Sequence, residues 1–183
     1  MTDIWLVRHG EAVASFDQDT DPPLSLLGRE QAAGSAEYLS RCVPNNVQLL
    51  SSPKLRAQQT GEPFATLRTA ALDIDSRFIE LPSPGALNER KDWIQRVLKG
   101  RWSDLPESVH DWQRDIVKAV QLLQGPTVIF SHFLVINTVA AHMSGEDAVL
   151  QCLPANGSVH HLRVAEGCWQ WIEQGEMLQS VVN

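Results

Sequence analysis

Three stretches of this chain pair an apolar run with residues that pack poorly and react well. The run Ile4-Trp5-Leu6-Val7 stops at Arg8-His9-Gly10, the run Thr127-Val128-Ile129-Phe130 stops at Ser131-His132, and Val47-Gln48-Leu49-Leu50 leads through Ser51-Ser52-Pro53 to Arg56. A fourth, Leu72 to Asp75, runs on through Phe78-Ile79 to Glu80. Histidine titrates near neutrality and is nucleophilic when neutral. Arginine is a permanent cation whose planar fork matches carboxylate or phosphate oxygens. Together these residues can hold a dianion between Arg8 and Arg56. One histidine can then attack phosphorus in line while the other donates to the equatorial oxygens, and Glu80 can protonate a leaving alkoxide. Phosphate monoesters hydrolyse extremely slowly unaided, so a positioned nucleophile and fixed cations are what such chemistry needs.

For these side chains to meet, the elements carrying them must lie in one parallel sheet, because only then do all the carboxyl ends share an edge. The order of signals fits. Strands of four or five apolar residues alternate with helical stretches: a helix capped by Ser25 to about residue 41, a helix 53–66 with Ser52 as N-cap and Pro53 in its first turn, then helices 88–99, 108–124 and 133–143. A hairpin of edge strands, 158–164 and 168–173, closes the chain around Glu166-Gly167. Residues 82–107 are the least regular part and read as a small cap. The expected fold class is α/β, a three-layer α/β/α arrangement with a mostly parallel central sheet and that cap, in one domain over residues 1–183.

Composition narrows the function classes. The chain has 183 residues, 43% hydrophobic and 20% charged, with a formal net charge of −7. That balance argues against nucleic acid and anionic membrane as partners, and any bound anion must be held by a local arginine cluster. Cys42, Cys152 and Cys168 show no metal-ligand spacing and are odd in number, so a disulfide framework or a structural zinc is not expected; reduced, mostly buried thiols are. The amino terminus lacks a signal-peptide pattern and no run is long enough to span a membrane, giving a cytoplasmic expectation. Asp17, Asp19 and Asp21 have calcium-loop spacing without its glycine and distal glutamate, and read as a solvated loop. His110, His142, His160 and His161 have no motif around them and read as structural.

The motifs carry a resemblance. Leu6-Val7-Arg8-His9-Gly10-Glu11, then Pro23-Leu24-Ser25 with Gly28, Gln31 and Ala32, then Ser51-Ser52-Pro53 with Arg56-Ala57 and Gln59-Thr60, then Phe130-Ser131-His132 stand in the order found in the histidine phosphatase superfamily, the phosphoglycerate mutase-like fold. The chain resembles that family from about residue 4 to about residue 164. The resemblance implies that His9 is the nucleophile that becomes phosphorylated, and that Arg8, Arg56 and His132 form the phosphate pocket. It implies Glu80 as the acid for the leaving oxygen and then the base for water, and Ser15 and the backbone N–H of Phe133 as further phosphate contacts. Glu89 in Leu87-Asn88-Glu89-Arg90 competes for the acid role; position relative to the third strand and Arg56 favours Glu80.

Departures matter as well. Phe133 stands where a glycine often follows the second histidine, which narrows that side of the pocket. Pro82, Pro84 and Gly85 replace the segment that follows the acid in mutases, and the insert with which a mutase grips its substrate is largely missing. A mutase must exclude water while the phosphoryl group moves, whereas a phosphatase need only admit it. The reduced lid therefore points to the phosphatase branch: a metal-independent phosphomonoesterase without cofactor, acting on a small phosphorylated metabolite. Mutase-type phosphoryl transfer, a protein phosphohistidine phosphatase and a non-catalytic phosphate-binding module are the alternatives. Residues 82–107 would set specificity. Trp93, Trp102 and Trp112 read first as core and cap packing, with Trp93 or Trp102 as a candidate substrate contact. Arg90, Lys91, Arg96, Lys99 and Arg101 make the region basic, which fits an additional anionic group or, more simply, a solvated helix face. The oligomeric state is open.

Overall fold

A computed structural model describes residues 1–14, 19–83, 85–86, 89–165 and 167–179. Strand β1 (Thr2–Arg8) is followed by α1 (Leu26–Cys42), β2 (Gln48–Ser51), α2 (Leu55–Arg68) and β3 (Asp73–Ile74). Then come α3 (Arg90–Lys99), α4 (Glu107–Gln121), β4 (Thr127–Ser131), α5 (Phe133–Ser144), β5 (Val159–Ala165) and β6 (Cys168–Glu173). The six strands form one sheet in the order β3-β2-β4-β1-β5-β6. β3, β2, β4 and β1 run parallel, while β5 and β6 add antiparallel strands at one edge. The register of β1 on β4 pairs Arg8 with Ser131, and that of β2 on β4 pairs Ser51 with Phe130, so the three carboxyl ends lie side by side.

Alternation along the strands builds two separate cores, as the two-residue period of a strand requires. Ile4 and Leu6 of β1 face one side, where Trp112 and Ile116 of α4 and Leu134, Val135 and Val139 of α5 cover them. Trp5 and Val7 face the other, against Ala36 and Leu39 of α1 and Phe64 and Ala65 of α2. This is the expected three-layer, mostly parallel α/β architecture.

Several local expectations are corrected. Helix α2 starts at Leu55 with Lys54 in the cap position, not at Pro53, and Ser52 is not its cap. The segment after β3 does not continue as a strand to Glu80. The Asp75 carboxylate accepts the Arg77 N–H and starts a 3-10 turn, Ser76–Phe78, whose Phe78 is fully buried. The thiols are not mostly buried: Cys42, at the solvent end of α1, and Cys168, on the edge strand β6, are exposed, and Cys152 alone is half-buried. Trp102 is sealed in the core beside Trp112, as its core reading expects, which removes only the alternative of a substrate contact there; Trp93 is half-buried. Ser15 and Asp17 lie outside the described residues. Among the described residues no helix is long and apolar enough to cross a membrane.

Candidate functional site

Arg8, His9, Arg56, Glu80 and His132 come together at the carboxyl edge of the sheet. β1 delivers Arg8 and His9, and the His9 N–H donates to the Ser131 carbonyl at 3.0 Å, extending the β1–β4 ladder one residue into the site. Gly10 then lets the chain pass within contact of α1: a Cβ at Gly10 would lie 2.4 Å from the Gly28 carbonyl oxygen. Arg56 sits in the first turn of α2, only 7% exposed, and His132 at the end of β4 is fully buried. Arg8, His9 and Glu80 keep part of their surface open to solvent.

Hydrogen bonds fix the direction of every ring. His9 Nδ1 lies 2.7 Å from the Gly10 carbonyl, an acceptor, so Nδ1 carries the proton and Nε2 the lone pair. Arg56 Nε donates to that Nε2 at 3.1 Å. A second guanidinium nitrogen, Arg56 Nη2, lies 3.4 Å from His132 Nδ1, and the two imidazoles are 5.2 Å apart at 62°. On the far side of His132, Nε2 is 2.7 Å from the Ser52 hydroxyl. Arg8 donates through Nη1 to the Pro154 carbonyl at 2.7 Å, and its guanidinium lies 5.2 Å from the centre of the Phe133 ring. Two buried donors of this cluster, Arg8 Nε and Arg56 Nη1, have no hydrogen-bond partner among the described residues. Buried, unpartnered guanidinium donors are costly unless they serve an anion.

The electrostatics follow from burial and crowding of cations. Burial, then Arg56 and Arg8, hold His9 neutral well below the usual histidine range. Burial, then Arg56, His9, Lys54 and Arg8, do the same to His132. Burial also lowers Arg8 to about 10, with Glu80 acting the other way. Glu80 is raised by burial, although the N–H groups of Leu81 (3.0 Å) and Leu134 (3.3 Å) and the charges of Arg56 and Arg8 favour its ionised form. The arrangement supplies a neutral imidazole with an aimed lone pair, two cations, and a carboxyl biased toward its proton.

Of the residues singled out in the sequence, Glu89 is not part of this cluster. It is exposed at the start of α3, where its carboxylate accepts the Ala86 N–H at 3.3 Å. At the α5 N-terminus the Leu134 N–H is taken by Glu80, while Phe133 contributes its ring to the face of Arg8. Asp21 Oδ1 accepts the Leu55 N–H at 2.8 Å and stands 4.0 Å from Arg56 Nη1, so it anchors the start of α2. Sequence reading did not find two residues behind the cluster, Ser52 behind His132 and Thr60 accepting the Gly10 N–H at 3.0 Å. Asn156, in a segment that reads as a turn into the last hairpin with support of the pocket as the alternative, donates to the His9 carbonyl at 3.2 Å. Ser52 and Thr60 sit inside a quoted motif, and that was the available signal. Among the described residues, no group of three or more His, Cys, Asp or Glu side chains is arranged to hold a metal ion.

The model of the histidine phosphatase superfamily, branch 1, matches residues 4–176. The chain belongs to that family. No curated protein sequence is significantly similar to it. Several solved structures share the fold at low identity. Mycobacterial glucosyl-3-phosphoglycerate phosphatase is 19% identical with a TM-score of 0.72, the match covering 97% of this chain and 100% of that one. Phosphoserine phosphatase from Entamoeba histolytica, in complex with 3-phosphoglyceric acid, is 17% identical with a TM-score of 0.74, covering 97% and 98%. YhfR of Bacillus stearothermophilus is 20% identical with a TM-score of 0.75, covering 94% and 96%. At such identities the likeness concerns the histidine phosphatase fold, and the chemistry rests on this chain's own side chains.

Proposed function

We propose that the protein is a phosphomonoesterase that hydrolyses a small phosphorylated substrate through a phosphohistidine on His9. The observation that carries this reading is the tautomer of His9: Nδ1 is committed to the Gly10 carbonyl, so the Nε2 lone pair faces Arg56 and His132. A phosphoryl group seated there takes over the donors of Arg56 and the unpartnered Arg8 Nε. His9 Nε2 attacks phosphorus in line with the P–O bond that breaks, the leaving alkoxide takes the Glu80 proton, and N-phosphohistidine forms. Water then loses a proton to Glu80 and attacks phosphorus, the P–N bond breaks, and inorganic phosphate and neutral His9 are regained. Glu80 suits both steps because burial raises its pKa, so at a given pH it holds a proton for the leaving oxygen more often than an exposed carboxyl does, and takes one from water more readily. The fold-sharing proteins named for phosphatase activity on glucosyl-3-phosphoglycerate and phosphoserine agree with a small phosphate ester as substrate.

The cap and substrate segment of this single domain would be residues 82–107. Its Lys91, Arg96, Lys99 and Arg101 are exposed, as on a solvated helix face. No metal or cofactor takes part in the proposed cycle. The test is hydrolysis of p-nitrophenyl phosphate in excess EDTA: turnover should persist, and His9→Ala should remove essentially all of it. Activity abolished by the chelator, or retained by His9→Ala, overturns the reading. Conversion of a phosphorylated metabolite to its positional isomer in place of phosphate release would favour a mutase.

A further inference from the structure

Ser52 reads in the sequence as a helix cap, yet in the structure its fully buried hydroxyl points at His132. It accepts the Lys54 N–H at 3.3 Å and lies 2.7 Å from His132 Nε2. The other imidazole nitrogen, Nδ1, faces Arg56 Nη2 at 3.4 Å. Arginine can only donate. Nδ1 must therefore present its lone pair, and the proton belongs on Nε2, donated to Ser52. The result is a chain that diverges from Arg56, which donates both ways: through His9 to the Gly10 carbonyl, and through His132 to Ser52.

Orientation has a chemical consequence. Phosphoryl oxygens are acceptors, so a His132 that presents a lone pair cannot bind them until Nδ1 gains a proton. A carboxylate partner at Nε2 would favour a permanently charged imidazolium. A hydroxyl accepts the Nε2 proton without that bias. The groups acting on the ring are Arg56 and Lys54 from the start of α2, and His9 and Arg8 from the end of β1; each opposes a second proton. The carboxylate of the cluster, Glu80, acts on Arg8 and Arg56. Only an incoming anion reverses this balance.

Resting on the phosphate-pocket reading above, we propose that Ser52 is a positioning residue. By holding the Nε2 proton of His132 it aims Nδ1 at the pocket, so binding of a tetrahedral dianion is accompanied by uptake of one proton at Nδ1. His132 thus becomes a donor only when a dianion is present, and the phosphoryl group gains a cation that the unliganded pocket does not have to bury.

Tungstate is a suitable probe, being a tetrahedral dianion without a titrating proton of its own near neutrality. Calorimetric titration of the full chain in two buffers of different ionisation enthalpy should show about one proton taken up per tungstate bound. Ser52→Ala should lose most of that uptake, weaken tungstate about tenfold near neutral pH and lower kcat about tenfold. Ser52→Thr, which keeps the hydroxyl, should restore the uptake. Nitrogen-15 spectra of the His132 ring without anion should show the Nε2–H tautomer in the native protein and a mixture in Ser52→Ala. Equal proton uptake in native protein and Ser52→Ala, or an Nδ1–H tautomer in the native protein, overturns the proposal. If tungstate does not bind at all, the phosphate-pocket reading fails, while the tautomer spectra still decide the role of Ser52.

Discussion

At the scale of single residues, the site separates two glutamates that the sequence places only nine positions apart. Glu80 accepts the backbone N–H groups of Leu81 and Leu134 and interacts with Arg8 and Arg56, whereas Glu89 is an exposed residue at the start of α3. An acid that protonates a leaving oxygen matters most when that oxygen leaves poorly. Glu80→Gln should therefore lower kcat about a hundredfold on an alkyl phosphate and much less on p-nitrophenyl phosphate, whose phenolate leaves without help. Glu89→Gln should leave both rates within about twofold of native, since nothing connects it to the reacting atoms. The reverse pattern, a large loss in Glu89→Gln and none in Glu80→Gln, would transfer the acid role. Arg8, His9, Arg56, Glu80 and His132 were legible in the sequence because each ends or follows an apolar strand. Ser52 and Thr60 were not, and Asn156 read first as a turn and only second as support for the pocket, because a hydroxyl or amide beside a strand end has an equally good local use as a cap or turn. Its actual partner lies 50 or more positions away: 80 residues for Ser52 and His132, 50 for Thr60 and Gly10, 147 for Asn156 and His9.

At the scale of elements, the geometry of the candidate site depends on how closely α1 approaches the loop after β1. A Cβ at Gly28 would lie 2.0 Å from the Glu11 carbonyl oxygen, and both groups are backbone, so neither can step aside. Gly28→Ala should cost about 2 kcal/mol or more of stability. It should also lower kcat, because the displaced Glu11 drags Gly10 and with it the acceptor that fixes His9. Gly34, on the exposed side of the same helix, is the opposite case: a Cβ there meets nothing within 4 Å. Gly34→Ala should stabilise by about 0.5–1 kcal/mol, through helix propensity and a less flexible unfolded chain. Urea midpoints of the two variants check both signs, and a stable Gly28→Ala protein would contradict the close-approach account. Elements with strong periodicity, such as α4, or uninterrupted apolar runs, such as β1 and β4, were readable to within a few residues. The start of α2 was not, since Ser52-Pro53 is a good helix start locally but Ser52 is engaged by His132. The strand expected through Phe78 was not either: the Asp75 carboxylate turns the chain there, and propensity gives no weight to that single bond.

At the scale of the whole molecule, an acidic protein concentrates cations at one sheet edge and holds three buried histidines, His9, His132 and His160, toward their neutral forms. His160 on β5 shows what this costs in acid. Its ring is 1% exposed; Nδ1 accepts the Gly175 N–H at 3.1 Å, and Nε2 donates to the Ser158 hydroxyl at 2.8 Å. Both nitrogens are committed to one neutral tautomer, so a second proton would face an N–H. Burial lowers its pKa from 6.5 to about 4. The sign follows from proton counting: between those two values the unfolded chain binds more protons than the folded one, so stability rises with pH through this window. The contribution is present in full above 6.5 and is lost as pH falls toward 4, below which no more is lost. From about pH 7 to about pH 5 this one residue should account for roughly 2 kcal/mol, and His9 and His132, lowered in the same direction, add to the slope. The effect reaches the candidate site, because the carbonyl of Ser158 accepts the Arg8 N–H at 3.1 Å. Acid that unseats His160 therefore loosens the strand supporting Arg8. His160→Gln, which keeps a donor for Ser158 and an acceptor for Gly175, should narrow the stability difference between about pH 7 and about pH 5 by roughly 2 kcal/mol in urea titrations. An unchanged difference would mean that acid sensitivity resides in the other histidines lowered by burial, His9, His132 and His142, and that His160 plays no part in how this fold responds to pH.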